Sequence, residues 1–283
     1  MRDSNRPGLG FRSFLSQLIS HTSQVNVGVY AANASFFIIL SAFPLLVLVM
    51  GVLNLTSLTQ SDLLDTLSAL LPSALVPYAT GVVDNIPGTG SVAIISITAV
   101  LAIWSASRGV YGVMVGINAI FGSSDRRSYL VRRAICVLYT LLLVLSLVIT
   151  LALHVFGRAL LTNLAKLLPA LADTLQTVRL LRFLFTVAFL TLTFSAVYGA
   201  FPSRRVSLRA CVAGAFPAAL GWLGFSSIFS VIVTHSKNYT TFYGSLAMVA
   251  VFMLWLYTCM TILLMGGVIA SILDPGRRDS GET

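Results

Sequence analysis

The chain has 283 residues, 57% of them hydrophobic and only 10% charged, with a formal net charge of +9 and a mean hydropathy of +0.92. A soluble protein carries roughly 45–50% apolar and about 25% charged residues, so a soluble enzyme, a disordered tail and a secreted disulfide scaffold are excluded. What remains is a multi-pass membrane protein.

A helix needs about 20 mostly apolar residues to cross the hydrocarbon core, and lipid forces such a run to satisfy its own backbone hydrogen bonds. Six segments qualify: 28–53, 91–117, 134–157, 182–201, 210–233 and 244–272. The expected fold is all-α, a polytopic membrane protein with six transmembrane helices. The transmembrane domain covers 28–272, between a cytoplasmic N-terminal tail, 1–27, and a cytoplasmic C-terminal tail, 273–283. The first run is too long for a signal-peptide core, and its Ala31-Ala32-Asn33-Ala34 stretch lies at its start, so it reads as a retained helix.

That first span carries Asn33, Ser35, Ser41 and Pro44. Pro44 removes a backbone hydrogen bond and should kink the helix, as a cavity border or as a packing device. In the loop that follows, Leu63, Leu64, Leu67, Leu70 and Leu71 recur at helical spacing behind Ser61 or Asp62 as N-cap. Residues 61–71 are therefore expected to form an amphipathic helix on the outer membrane surface. In the second span Ser105, Gly109, Gly112 and Gly116 make a small-residue stripe on which another helix can pack closely. Beside it run Arg108, Tyr111, Val115 and Asn118, which set a cation, a phenol and an amide on one face. Arg108 is the one charge clearly inside an expected span. It reads either as a site residue facing a cavity or as a side chain reaching lipid phosphate at the helix end.

Beyond the third span, Leu160, Leu161, Leu164, Leu167, Leu168 and Leu171 repeat the amphipathic pattern over 160–171. Both outer segments contain Leu-Leu-Pro, at 70–72 and 167–169. This marks either a duplicated hairpin or two Leu-rich surface helices alike by composition. The fifth span has Ala210, Gly214 and Ala218 at four-residue spacing, then Gly221 and Gly224, with Pro217 between, a pattern for close helix packing. The sixth begins at Tyr243-Gly244 and passes Trp255 and Tyr257, whose polar atoms need partners, to Gly266-Gly267.

Charge sets the orientation. Arg2, Arg6 and Arg12, then Arg126, Arg127, Arg132 and Arg133, then Arg204, Arg205 and Arg209, then Arg277 and Arg278 share one side of a six-span chain. The first loop holds Asp62, Asp65 and Asp84 without a Lys or Arg. Both termini are therefore expected in the cytoplasm, although Arg158, Lys166, Arg179 and Arg182 then face outward. Cys136, Cys211 and Cys259 sit in apolar stretches and read as small buried hydrophobes. No His, Cys and carboxylate cluster has metal-ligand spacing, no span holds an Asp or Glu, and neither a P-loop nor a nucleophile elbow occurs. The expectation is no catalytic residue, no metal and no cofactor.

Several motifs resemble a known family in order and spacing. They are Tyr30-Ala31-Ala32-Asn33-Ala34-Ser35-Phe36-Phe37 with Ser41-Ala42-Phe43-Pro44-Leu45-Leu46; Trp104-Ser105-Ala106-Ser107-Arg108-Gly109 with Ile117-Asn118-Ala119-Ile120-Phe121; and Pro217 to Ser227, Tyr243-Gly244-Ser245-Leu246-Ala247 and Leu254-Trp255-Leu256-Tyr257. From about residue 12 to 272 the chain resembles the YihY/BrkB (YhjD-like) family of bacterial inner-membrane proteins. The resemblance implies a six-helix protein linked to envelope integrity, with a role in moving lipids or other envelope molecules. It also implies that an older ribonuclease BN label is a misassignment. One departure is clear: the last span of the family ends Gly-Ala-Glu, and the matching positions here are Gly266, Gly267 and Val268.

The expected function is non-enzymatic handling of lipid or another amphipathic anion in the bacterial cytoplasmic membrane. Its path would be lined by Arg108, Tyr111, Asn118, Asn33 and Tyr257, with Arg108 holding the anionic headgroup. Membrane lipids are the expected partners, with envelope-assembly proteins or a second copy beside them, and nucleic acid is not expected. The rival expectation is a non-transporting structural or assembly factor that docks through 61–71 and 160–171.

Overall fold

Apolar runs that must bond their own backbone fold as helices, and every regular element among the described residues is helical. The computed structural model describes residues 11–53, 59–72, 75–84, 92–123, 127–142, 175–235 and 239–274. In chain order the elements are α1 (Phe11–Val25), α2 (Val27–Leu53), α3 (Gln60–Leu70), α4 (Val76–Asp84), α5 (Val92–Ile120), α6 (helical over 129–142), α7 (Leu175–Ala200), α8 (Leu208–His235) and α9 (Tyr239–Leu273).

Four stretches among these residues are long and apolar enough to cross a membrane: Val27–Val47, Ser96–Ile120, Leu208–His235 and Val249–Leu273. They fall in the first, second, fifth and sixth expected spans. In α7 the apolar stretch is shorter, Thr186–Ala200. Of the third expected span, 134–157, only the part up to residue 142 is described, and the Leu-rich segment 160–171 lies outside the described residues. The segment expected at 61–71 is helical as α3. Gln60 donates from Nε2 to Asp84 Oδ1 at 2.8 Å, which ties α3 to the end of α4.

The tail expected over 1–27 is not structureless. Its residues 11–25 form α1, and Asn26 separates α1 from α2 with a φ of 54°. Asparagine tolerates this left-handed conformation better than most side chains. It lets the amphipathic helix end and the membrane helix begin within one residue. α1 is docked, with His21 Nε2 donating to the Ile120 carbonyl at 2.9 Å and Thr22 Oγ1 lying 3.3 Å from Met265 Sδ.

The helices form two groups. α2 packs along α5, and α8 packs against both α7 and α9, while α9 also touches α2 and α5 and joins the groups. Small residues set the closest approaches. A Cβ on Gly112 would stand 3.1 Å from Ala34 Cα, and one on Gly116 would stand 2.9 Å from Tyr30 Cβ. Gly109 faces Ile38 in the same seam, and Ser105, one turn further, is half-buried. Gly214 of α8 lies against Gly266 and Ala270 of α9, and Ala218 lies against Gly266. Pro44 is accommodated inside α2, which continues to Leu53.

One dense part of the core lies where α5, α7, α8 and α9 meet. Met114, Ile117 and Ile120 of α5 meet Tyr198 of α7, Cys211 of α8, and Leu264 and Val268 of α9, all nearly inaccessible. At the opposite ends of α5 and α8, Ile97, Val100, Leu101, Ile228, Val231 and Ile232 are exposed, the pattern of lipid-facing side chains rather than of a soluble surface. α5 closes with a hydrogen-bonded glycine cap. Gly122, at φ 61°, donates to Ala119 O at 3.2 Å, and Ser123 N donates to Asn118 O at 3.0 Å.

Candidate functional site

Three helices each place two side chains, one turn apart, around a single cavity of about 230 Å³. The pairs are Asn33 and Phe37 of α2, Arg108 and Tyr111 of α5, and Tyr129 and Arg133 of α6. Residues three or four apart share a helix face, so each pair is presented as a unit.

Arg108 lies twelve residues before Ile120, about 18 Å along the helix axis. Side chains on a helix lean toward its N-terminus, and this one does. Its guanidinium carbon is 5.5 Å from the centre of the Phe37 ring and 5.9 Å from that of Trp104. The cation is thus held toward the pocket and away from the Ile120 end. Arg133 comes to the same indole from α6, its guanidinium carbon 4.1 Å from the ring centre. It also donates from Nη2 to the Trp104 carbonyl at 3.1 Å. Its Nε is buried without a hydrogen-bond partner. Each cation–π contact contributes on the order of 0.5–1 kcal/mol, which holds two like charges near one ring. Among the described residues no Asp or Glu lines the cavity.

Of the residues read from the sequence, Arg108, Tyr111 and Asn33 come together here. Phe37, Tyr129 and Arg133 complete the pocket and were not singled out. Their signal was the four-residue spacing from Asn33 to Phe37 and from Tyr129 to Arg133, which the apolar run and the Arg pair at 132–133 concealed.

Asn118 lies elsewhere. Its Nδ2 donates to Met114 O at 2.9 Å and to Phe201 O at 3.1 Å. Its Oδ1 accepts from Ser123 Oγ at 2.7 Å and from Ser203 N at 3.0 Å. The side chain fastens the end of α5 to the segment between α7 and α8. Asn118→Leu should cost about 3 kcal/mol, because the buried Phe201 carbonyl and the Ser203 N–H lose their partner. Thermal unfolding of the purified protein in detergent measures this. Tyr257 is exposed on α9, its hydroxyl facing Gly28 at the start of α2 rather than the cavity.

A second polar cluster sits beside Asn118. Arg204 Nη1 is 2.7 Å from Asp274 Oδ2, and Arg204 Nε donates to Phe121 O at 3.2 Å. Asp274 Oδ1 accepts from Ser207 N at 3.2 Å, and Ser207 caps α8 by accepting from Ala210 N at 3.4 Å. Val268, at the position where the resemblance places a Glu, is fully buried. The three cysteines are free and buried. Among the described residues no three His, Cys, Asp or Glu side chains are grouped to hold a metal ion.

Residues 18–283 match the family model described as Virulence factor BrkB. The ribonuclease-like protein YfkH of Bacillus subtilis is 27% identical over 267 residues, covering 94% of this chain and 97% of that one. A UPF0761 membrane protein of Pseudoalteromonas atlantica is 21% identical over 271 residues, 92% of this chain and 86% of that one. Another from Nitrosospira multiformis is 36% identical over 87 residues, 31% of this chain and 20% of that one. No solved structure matches the chain. With a match over nearly its whole length and several apolar helices of spanning length, this chain belongs to the BrkB family of membrane proteins.

Proposed function

We propose that this protein binds lipid or another amphipathic anion within the bacterial cytoplasmic membrane and moves it, without enzymatic chemistry, in support of envelope integrity. The observation that carries the reading is the pocket of two arginines, two tyrosines and an asparagine, with no carboxylate among its described lining residues. A charge at that depth is costly unless it is hydrated or meets an opposite charge, and guanidinium geometry suits phosphate and carboxylate. At about 230 Å³ the cavity is smaller than the roughly 300–1,000 Å³ of a pocket that engulfs a small molecule. It suits a headgroup whose tail lies outside among the apolar helices. The ribonuclease-like name belongs to the Bacillus relative.

In this reading the six spans are α2, α5, α6 continued through 157, α7, α8 and α9, with both termini cytoplasmic. α3 lies at the outer membrane surface, and membrane lipids are the principal partners. The test is translocation of labelled anionic and zwitterionic lipids in proteoliposomes. Wild type should move the anionic lipid, and Arg108→Ala should reduce the rate about ten-fold or more, the loss expected for one charge-assisted contact. A folded, correctly oriented wild type that moves no lipid would overturn the reading in favour of a scaffold acting through α3 and 160–171.

A further inference from the structure

We infer that the basic pocket selects a dianionic phosphate monoester over a monoanionic phosphodiester, with Arg133 of α6 as the residue that reads the second charge. This deepens the proposed function and rests on it.

Three observations carry the inference. The first is charge count. Arg108 and Arg133 converge on one cavity through a shared neighbour, Trp104, at 5.9 and 4.1 Å from its ring centre, and among the described residues no Asp or Glu lines that cavity. Two cations held beside one indole repel, and a ligand with two negative charges relieves the repulsion more completely than one with a single charge.

The second is unused donor capacity. Arg133 gives Nη2 to the Trp104 carbonyl, yet its Nε is buried without a hydrogen-bond partner. A guanidinium has five N–H donors in a fixed fork, and a phosphate monoester has three terminal oxygens to receive them. A diester has two.

The third is division of labour among helices. Arg108 approaches from α5 against Phe37 of α2, whereas Arg133 belongs to α6. An anion held by both arginines therefore bridges helices, and losing either cation leaves a site for one charge only. The tyrosine and asparagine groups at Tyr111, Tyr129 and Asn33 add neutral donors, which do not discriminate by charge.

The chemistry is shared by a lipid phosphomonoester and by free phosphate, and one experiment separates them. The full chain, purified in detergent, is titrated calorimetrically with dihexanoyl phosphatidate, dihexanoyl phosphatidylglycerol and inorganic phosphate at pH 8 and pH 5. Phosphatidate should bind about ten-fold tighter than phosphatidylglycerol at pH 8, the value of roughly one added charge-assisted contact. The preference should vanish at pH 5, because the second ionisation of a phosphomonoester lies near pH 6. Arg133→Gln should abolish the preference, weakening phosphatidate binding about ten-fold more than phosphatidylglycerol binding. Arg133→Lys, which keeps the charge without the fork, should retain part of the preference and serves if the Gln variant does not fold.

Equal affinity for the two lipids at pH 8, or a preference that survives Arg133→Gln, overturns this inference. The wider anion reading then stands if phosphatidylglycerol binding still needs Arg108. Binding of neither lipid overturns both. Inorganic phosphate binding as tightly as phosphatidate supports the dianion site and removes the lipid from it.

Discussion

Gly214→Val should be the most disruptive single substitution in the bundle, costing more than about 3 kcal/mol and lowering the thermal midpoint by about 10 °C. The reason is what surrounds the missing side chain. A Cβ on Gly214 runs into the backbone carbonyl of Gly266 and stands 2.7 Å from Ala270 Cβ and 2.8 Å from Ala270 N. Two of these obstacles are main chain and cannot rotate away, so α8 and α9 must part. Gly266 is as crowded in turn, by the Tyr198 hydroxyl of α7 and by Ala218 Cβ of α8. The control is built into the same helix: a Cβ on Gly224 meets nothing within 4 Å. Gly224→Val should therefore shift the midpoint by no more than about 1 °C, within the small effect of an uncrowded exposed change. Thermal unfolding of the two variants side by side in detergent decides the matter, and equal shifts would show that α8 does not pack on α9 as described.

Asp274→Ala should destabilise the protein by about 3 kcal/mol, the scale of a buried ion pair broken from one side. The carboxylate is only 3% exposed and Arg204 is 24% exposed, so the arginine left behind is poorly compensated by water. The change also removes the acceptor for Ser207 N at the start of α8. Replacing both partners, as Arg204→Met with Asp274→Ala, should cost less than Asp274→Ala alone, because no unpaired charge remains. Thermal or chemical unfolding of the two singles and the double measures the coupling. Additive losses would mean that the pair is no more than a surface contact.

Four helices of spanning length were legible, because lipid imposes a single demand, a self-satisfied apolar run, and composition alone reports it. The seams were legible too. Gly109, Gly112 and Gly116 line up by spacing, and the structure sets that line against Tyr30, Ala34 and Ile38. α1 was not legible, because its polar residues and flanking arginines match a cytoplasmic tail. Its docking depends on partners far along the chain, Ile120 and Met265.

Asn118 shows the limit of a stripe read by eye. Ten residues beyond Arg108, it sits about 15 Å further along α5 and about 80° around it. A line that drifts by that much joins residues with different surroundings, and the amide serves the α7–α8 segment instead of the pocket. Arg133 was hidden for another reason. An arginine pair at the start of an apolar run is the usual mark of membrane orientation, and no local pattern tells which guanidinium will turn inward to an indole.

Several of the bundle's fastenings share one end: the glycine cap of α5, the amide of Asn118 and the Arg204–Asp274 pair. A set of rods clamped at one end and immersed in lipid at the other behaves as a pincer. Prying at the clamp must expose buried charge and break hydrogen bonds. Spreading the far tips only exchanges helix contacts for lipid contacts of similar strength. Of the described bundle the clamped end is thus the stiff end, where parting the helices costs most.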